Sequence, residues 1–240
     1  MVNAPVDQAE GLRRMLSAPL PGLCTVLSAD DDQQKDALMK RLAASMSRRG
    51  RSVILVDGAP TAETEAEVAR ASVRTLLDVA RGHASLDEAG QADDGGYRRV
   101  KLGPRSDDPA LTEFLKRLSA EQAHPPAHAP VLTEFLKRLS AEQARVLVDA
   151  RLDEEGRLPL PLLAEGEVVV QLSGSEASIR TAYEMLRALK DQCAHRSVSL
   201  LVTAADPAHA RRVHSNLFQA ASRYLALSVR SIVAQEPSHV

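Results

Sequence analysis

The chain has 240 residues, of which 44% are hydrophobic, 26% charged and 2% aromatic, and its formal net charge is −2. This length can bury a full core as one α/β domain, and the near-neutral charge gives no basic field for nucleic acid. The two cysteines, Cys24 and Cys193, are typical of a reduced cytoplasmic protein without a disulfide framework or metal site. No apolar run approaches the ~20 residues of a membrane-spanning helix, so we expect no integral membrane segment.

The first 20 residues are predicted to form a short helix and a linker, followed by an α/β domain over residues 21–240. In DQAEGLRRML (7–16), Asp7 can cap the helix and Glu10 follows three residues later, as in a capping box. The apolar face of this helix would consist of Ala9, Leu12 and Leu16. From spacing alone, the simplest interpretation is a helix that packs on the domain and exposes ordinary surface charges.

Residues 22–57 have the pattern strand, turn, helix, strand, which is one βαβ unit. In P-loop proteins the turn of such a unit binds phosphate, because glycines let backbone N–H groups approach and the helix N-terminus attracts an anion. The turn here, ADDDQQ (29–34), contains no glycine. Compared with the deviant P-loop of the MinD/ParA ATPases, this segment keeps only Ser28 and Lys35.

The turn is also acidic, with Asp30, Asp31 and Asp32 at the place where phosphate would lie. Like charges about 4 Å apart repel by roughly 4 kcal/mol at an effective dielectric near 20. The same carboxylates suit a helix N-terminus that binds no ligand, because they can accept hydrogen bonds from its free N–H groups. Lys35 is then predicted to pair with these aspartates rather than with a phosphate.

Apolar strands alternate with amphipathic helices along the rest of the chain. Strands are predicted to begin near residues 22, 52, 97, 145, 167, 197 and 228, whereas GQADDGG (90–96) is predicted to be a loop. This alternation predicts the α/β class, with a mostly parallel sheet that is covered by helices on both faces.

Three details of the helices follow from the same patterns. Ser173 and Glu176 are expected to form a capping box. The helix after the first strand should bury Leu38, Leu42, Ala43 and Met46. The helix after Asp206 should bury Val213, Leu217, Ala220 and Tyr224.

Two aspartates close predicted strands. Asp149 ends RVLVDA (145–150), where a Walker B aspartate would hold Mg²⁺ through water, and Asp57 ends VILVDG (53–58). Ala59 stands where a second aspartate of a MinD-type DxD pair would be. A polar residue at a strand end is also common in α/β folds, so a nucleotide-site role and a structural role for Asp57 stay open. Thr203 stands where the MinD-like proteins that this chain resembles would have an asparagine that reads adenine.

The segment LTEFLKRLSAEQA occurs at residues 111–123 and again, identically, at 132–144. Both copies have helical spacing, and a fold of this kind needs only one of them. Because the second copy leads directly into RVLVDA, residues 111–131 are interpreted as a duplicated insertion. His124 and His128 lie between the copies in a proline-rich stretch without cysteine or carboxylate partners, so we expect exposed histidines and no metal site.

Several of these motifs together resemble the FlhG family, also called FleN or YlxH, whose members are MinD-like regulators of flagellar number and placement. DQAEGLR (7–13) is similar to the DQA-x-x-LR signature of that family. RTLLDVARGHASLDEA (74–89), the RVLVDA strand and EASIRTAYEMLRALK (176–190) are similar to further family segments, so the likeness covers most of the chain.

The resemblance implies a MinD-like, three-layer fold of the P-loop NTPase type with a degenerate P-loop. It implies that the N-terminal helix binds and stimulates FlhF, a signal-recognition-type GTPase, and Gln8 would orient the attacking water. The residues of this partner-binding motif are Asp7, Gln8, Ala9, Glu10, Leu12 and Arg13. The residues of the vestigial nucleotide site are Ser28, Lys35, Asp57 and Asp149.

Three functions remain open from the sequence. The chain is a regulator that acts on FlhF without hydrolysing ATP, an active MinD/ParA-like ATPase that uses ATP and Mg²⁺, or a MinD-like accessory protein of another envelope system such as cellulose secretion. In the first case we expect no cofactor, no ATP-dependent homodimer, and a cytoplasmic protein that its partner recruits to the cell pole. Flagellar switch proteins or transcriptional regulators are further candidate partners.

Overall fold

The computed structural model describes residues 22–48, 52–58, 73–103, 108–120, 145–194, 196–203 and 206–232. The predictions for the N-terminal motif, for Ala59, for His124 and His128, and for the second repeat copy lie outside the described residues.

The described residues form one sheet and the helices around it. The strands are β1 (Leu23–Ser28), β2 (Val53–Gly58), β3 (Gln91–Ala92), β4 (Arg98–Lys101), β5 (Arg145–Ala150), β6 (Glu167–Leu172), β7 (Val198–Val202) and β8 (Val229–Ile232). The helices are α1 (Asp32–Ser47), α2 (Leu76–Ala80), α3 (Leu86–Ala89), α4 (Pro109–Ala120), α5 (Glu176–Gln192) and α6 (Pro207–Ala220). Residues Pro161–Glu165 form a 3₁₀ turn and Ala221–Leu225 a π-helical turn.

The sheet order is β3-β4-β2-β5-β1-β6-β7-β8, and all neighbouring strands are parallel except the short pair β3 and β4. All seven predicted strands are present. The prediction of a loop at residues 90–96 was wrong in part, because β3 pairs Gln91 with Arg99 and Ala92 with Arg98. A two-residue strand inside a turn-rich segment has no periodicity by which the sequence could reveal it.

Strand alternation divides the core into two layers, one on each face of the sheet. On one face, Val26, Leu55 and Leu147 pack with Met39 and Ala43 of α1. The opposite face packs against α2 to α6, the 3₁₀ turn and the chain after α6. The predicted mostly parallel sheet with helices on both faces is confirmed, and it has three layers.

The first repeat copy is helix α4, and it belongs to the core. Leu111 and Leu115 are 0% exposed and Leu118 is 4% exposed, against α2 and β5. The structure thus gives the core position to the first copy, contrary to its interpretation as the inserted one.

Other helix predictions need correction. Among the described hydrophobic side chains of α1, Met39 and Ala43 are buried, whereas Leu38, Leu42 and Met46 are only partly buried. The N-cap of α5 is Ser175, whose side chain accepts a hydrogen bond from the Ser178 N–H, so the predicted capping box of Ser173 and Glu176 was wrong.

At the end of α6 the helix buries Val213 and Leu217 as predicted, but Tyr224 is 68% exposed. The π-helical turn changes the helical register just before Tyr224, and Ala226 then takes a left-handed conformation with φ 52° and ends the turn. A pattern that assumes 3.6 residues per turn therefore assigns Tyr224 to the wrong face.

Candidate functional site

A row of polar side chains crosses six neighbouring strands. Five of the six stand at the carboxyl ends of their strands, whereas Arg99 is in register with Leu55, two residues before Asp57. In sheet order this polar row consists of Arg99, Asp57, Asp149, Ser28, Gln171 and Thr203. The residue two positions before each of them belongs to the core layer under α1, and alternate residues of a strand share a face. The polar row therefore lies on the α1 face, at the carboxyl edge where open parallel sheets bind ligands.

Lys35 extends from the first turns of α1 down to the end of β5. Its ammonium Nζ contacts the Asp149 carboxylate and donates a hydrogen bond to the carbonyl of Ala150 at 2.6 Å. Lys35 is only 3% exposed. The prediction that Lys35 pairs with the turn aspartates was wrong for Asp30 and Asp31, because the Lys35 side chain points from the helix toward the sheet, where the end of β5 is within reach. The side chain of Asp32 lies outside the described part of the structure.

The Asp149 carboxyl is in a partly desolvated position. Burial raises its pKa above the ordinary value, the neighbouring Asp57 carboxylate raises it further, and the Lys35 ammonium opposes the rise. Asp57 and Asp149 are paired in register on β2 and β5, which explains their mutual repulsion. The ion pair with Lys35 is thus offset by desolvation, as is common for buried pairs.

Asp57 faces a cation of the chain itself. Arg99 reaches the Asp57 carboxylate at 3.8 Å and the Asp36 carboxylate of α1 at 3.1 Å. Lys40 also contacts Asp36, at 2.8 Å. Burial acts to raise the pKa of Asp36, but the hydrogen bond from Lys40 and the charge of Arg99 outweigh it and hold that pKa below its ordinary value.

The other half of the row holds a carboxylate from the turn. Gln171 donates hydrogen bonds from Nε2 to the Asp30 carboxylate at 2.6 Å and to Thr203 Oγ1 at 3.1 Å. Ser173 donates to the second oxygen of Asp30 at 2.8 Å. Ser28 donates to the side-chain oxygen Oε1 of Gln171 and accepts from the Asp30 N–H at 3.1 Å. The donors of this cluster therefore surround an anion that the chain supplies.

The N-terminus of α1 is capped in the same way. The Asp31 carboxylate accepts a hydrogen bond from the Gln34 N–H at 2.9 Å. A helix N-terminus in this position is the usual phosphate site of a P-loop fold. Asp31 on this N-terminus and Asp30 beside it therefore place two carboxylates where a nucleoside triphosphate would bring its phosphates, and like charges repel.

The structure thus brings Ser28, Lys35, Asp57 and Asp149 to one edge, as their positions in the sequence predicted. Sequence reasoning missed the polar contacts of Gln171 and Arg99. Gln171 could have been found, since it is the one polar residue in the apolar run VVVQL and is 2% exposed. Arg99 gave no signal, because it stands among other basic residues in YRRVK. The positions Asp7 to Arg13 lie outside the described residues.

Within the described parts of the chain, no group of three histidine, cysteine, aspartate or glutamate side chains could hold a metal ion. In the same parts, no helix is both long enough and apolar enough to span a bilayer.

Comparison with known proteins supports the fold and nothing finer. No protein-family profile matches the sequence, and no curated protein matches it. Among solved structures, the chain is similar to the cell division protein MinD of Aquifex aeolicus, with a TM-score of 0.51, 16% identity, and coverage of 89% of this chain and 82% of MinD. It is also similar to a chain of the MinC:MinD complex of the same organism, with a TM-score of 0.53, 15% identity, and coverage of 89% and 81%. At these identities the likeness shows that the chain has the MinD fold.

Proposed function

We propose that the chain is a MinD-like regulator that binds no ATP and acts through a protein partner. The observation that carries this proposal is the internal pairing of the site: Lys35 contacts Asp149, and Gln171 and Ser173 hold the Asp30 carboxylate. In a nucleotide site such groups would have to face phosphate and Mg²⁺. Here the chain satisfies them itself, which favours a fold used as a scaffold.

The proposed partner is an FlhF-type GTPase, and the proposed contact is the N-terminal motif DQAEGLR (7–13). The support is the resemblance of that motif to the FlhG signature, combined with a nucleotide site that has lost its glycines. The further suggestions, namely recruitment to the cell pole and contact with flagellar switch proteins or transcriptional regulators, depend on this partner.

One observation favours a second candidate, an active ATPase of the MinD/ParA type. Lys35 and Asp149 are both present and lie in contact at the carboxyl edge of the sheet. In that function the pair would have to open when ATP and Mg²⁺ bind. The acidic turn opposes this, because the Asp30 and Asp31 carboxylates would repel the phosphates.

An ATP titration of the purified chain, with and without Mg²⁺, separates the two candidates. We expect no saturable heat of binding in calorimetry and no hydrolysis. Lys35→Ala and Lys40→Ala provide a matched pair, since Lys40 lies one turn later on the same helix but is half exposed. Mg²⁺-dependent binding that Lys35→Ala abolishes and Lys40→Ala retains would establish the ATPase and overturn the proposal.

Co-purification with an FlhF-type GTPase tests the partner. We expect a complex whose rate of GTP hydrolysis exceeds that of the GTPase alone. A chain that binds neither ATP nor FlhF would instead support a role as an accessory protein of another envelope system.

A further inference from the structure

The groove that α4 fills has a second potential occupant in the same chain. Helix α4 lies against α2 and β5 and inserts Leu111, Leu115 and Leu118 into the core. Residues 132–144 repeat residues 111–123 without a single difference, so Leu132, Leu136 and Leu139 correspond to these leucines. Each copy also follows a proline, Pro109 or Pro130, at the equivalent position. The repeat therefore has the same leucines at the same spacing and the same proline before them.

We propose that the groove between α2 and β5 is a binding site for either copy of the repeat, and that residues 132–144 can replace α4 there. Identical side chains bury the same apolar area in the same groove, so packing does not distinguish the two occupants. The native protein would then be an equilibrium between two arrangements of one core.

The order of the elements permits both arrangements. The first copy follows β4, and the second copy leads directly into β5 at Arg145. The long connection would consist of residues 121–144 when the first copy is docked and of residues 104–129 when the second is. Because the entropy of loop closure changes slowly with loop length, connections of such similar length do not decide between the copies.

The helix cap does decide between them. The Asp108 carboxylate accepts a hydrogen bond from the Ala110 N–H at 2.9 Å and forms an ion pair with Arg81. The residue in the equivalent position before the second copy is Ala129, which can do neither. The loss of an N-cap side chain changes a helix equilibrium by about tenfold. The first copy is therefore the major occupant and the second copy a minor one.

Alanine substitutions in the two copies test the exchange through the unfolding equilibrium constant, measured by urea denaturation. Leu136→Ala should leave this constant within about twofold of wild type, since the second copy is the minor occupant. Leu115→Ala should raise it by only about tenfold, because the second copy then takes over the groove at the cost of the cap. The double variant should raise it by roughly 30-fold or more, the usual effect of removing a core leucine.

The proposal is overturned if the effects of Leu115→Ala and Leu136→Ala on the free energy of unfolding are additive. If the groove accepts only the first copy, Leu115→Ala alone produces the full effect and Leu136→Ala adds nothing. If Leu136→Ala alone produces the full effect, the groove holds only the second copy, and the exchange is likewise refuted.

A second variant keeps the test decisive if the double variant does not fold. Ala129→Asp gives the second copy the cap that it lacks. In the Ala129→Asp background, Leu115→Ala should raise the unfolding constant by less than about threefold. Ala129→Asn should act in the same direction, but it cannot supply the charge that Asp108 presents to Arg81, so its effect should be weaker. An undiminished effect of Leu115→Ala in both backgrounds would exclude the exchange.

Discussion

The side chains of Lys35 and Asp149 form a buried ion pair between the first turns of α1 and the carboxyl end of β5. The pair joins the two positions that a nucleotide site of this fold would use for phosphate and for Mg²⁺. Lys35 also donates a hydrogen bond to the carbonyl of Ala150, so the ammonium is directed at the chain from two sides. A cation held in this way stabilises the contact between α1 and the sheet.

A double-mutant cycle measures what this pair contributes. Lys35→Met should destabilise the fold by about 3–5 kcal/mol, because it leaves the Asp149 carboxylate buried without its cation. The double variant Lys35→Met/Asp149→Leu should recover most of this loss, since an apolar pair of similar volume avoids the cost of desolvating two charges. Free energies of unfolding from urea denaturation give the coupling.

The matched control for this cycle is Lys40→Met. Lys40 pairs with Asp36 one turn later on α1, and both side chains are more than a third exposed. Lys40→Met should lower the free energy of unfolding by at most about 1 kcal/mol. Equal effects of Lys35→Met and Lys40→Met would contradict a structural role for the buried pair.

The pH dependence of stability should carry the signature of Asp149. Burial raises the pKa of this carboxyl above its ordinary value of 3.8, so the folded chain binds the proton more tightly than the unfolded chain. The stabilisation that comes from protonating Asp149 in the folded chain is then fully present below pH 3.8, and it is lost as the pH rises through the pKa of Asp149 in the folded chain. The stability of wild type relative to Asp149→Asn should therefore fall as the pH rises above 3.8, in urea denaturation at a series of pH values.

The exposed substitution Asp191→Asn serves as the reference for that series. If wild type instead gains stability over Asp149→Asn with rising pH, the attraction of Lys35 outweighs the burial of the carboxylate.

Much of the fold was predictable because its signals are local. The strands VILVDG and EVVVQL are apolar runs of strand length, and the positions of Asp57 and Asp149 at strand ends placed both carboxylates at one edge. In a parallel sheet the carboxyl ends of the strands lie at the same edge. Once the strand order is known, strand alternation therefore places Asp57, Asp149 and Ser28 at this edge, but it gives no sign of the contacts of Arg99.

The partners within the row could not be predicted, because they depend on distances between elements that are remote in sequence. Asp31 is close to Lys35 in sequence, yet it caps α1, whereas Asp149 arrives from β5. Gln171 likewise connects Asp30 with Thr203 across three separate segments. Met39 is buried in place of its neighbour Leu38 because of the way α1 is rotated about its axis on the sheet. The spacing of apolar residues in the sequence fixes this rotation only to within one residue.

Gln171 should matter for stability well beyond its own packing. Gln171→Leu fills the same place with an apolar side chain but leaves the Asp30 carboxylate and the Ser28 hydroxyl without their shared partner. We therefore expect the free energy of unfolding to fall by about 1–3 kcal/mol. The loss should be smaller in the Asp30→Ala background, where one of these groups is gone. A loss that is the same in both backgrounds would show that the Asp30 contact adds nothing to stability.

Removal of one repeat unit should leave the fold intact. Deletion of residues 111–131 and deletion of residues 124–144 give the same polypeptide, in which one copy runs through residues equivalent to 121–123 into β5. A connection of that length is typical between a helix and a strand. The melting temperature should stay nearly unchanged, whereas deletion of residues 111–144 removes both copies and should abolish cooperative unfolding in calorimetry. A large fall in melting temperature for the single-unit deletion would show that both copies are needed.

The last prediction is that a peptide of residues 1–20 stimulates GTP hydrolysis by an FlhF-type GTPase without the rest of the chain. The reason is that DQAEGLR resembles the FlhG signature, while Asp30 and Lys35 make contacts within the chain at the edge where the proposed partner site would otherwise compete with nucleotide. A short helix on a proline-containing linker can reach a partner independently of the domain.

In that peptide Gln8 would orient the attacking water, as glutamines do in GTPases. Gln8→Ala should remove most of the stimulation while the helical content in circular dichroism stays the same, because Gln8 is not part of the apolar face of Ala9, Leu12 and Leu16. Leu12→Ala should weaken binding of the peptide instead of the rate at saturation, since it removes apolar contact area. An inert peptide beside an active full chain would assign the stimulation to the surface of the domain, and inactivity of both would refute the regulatory role.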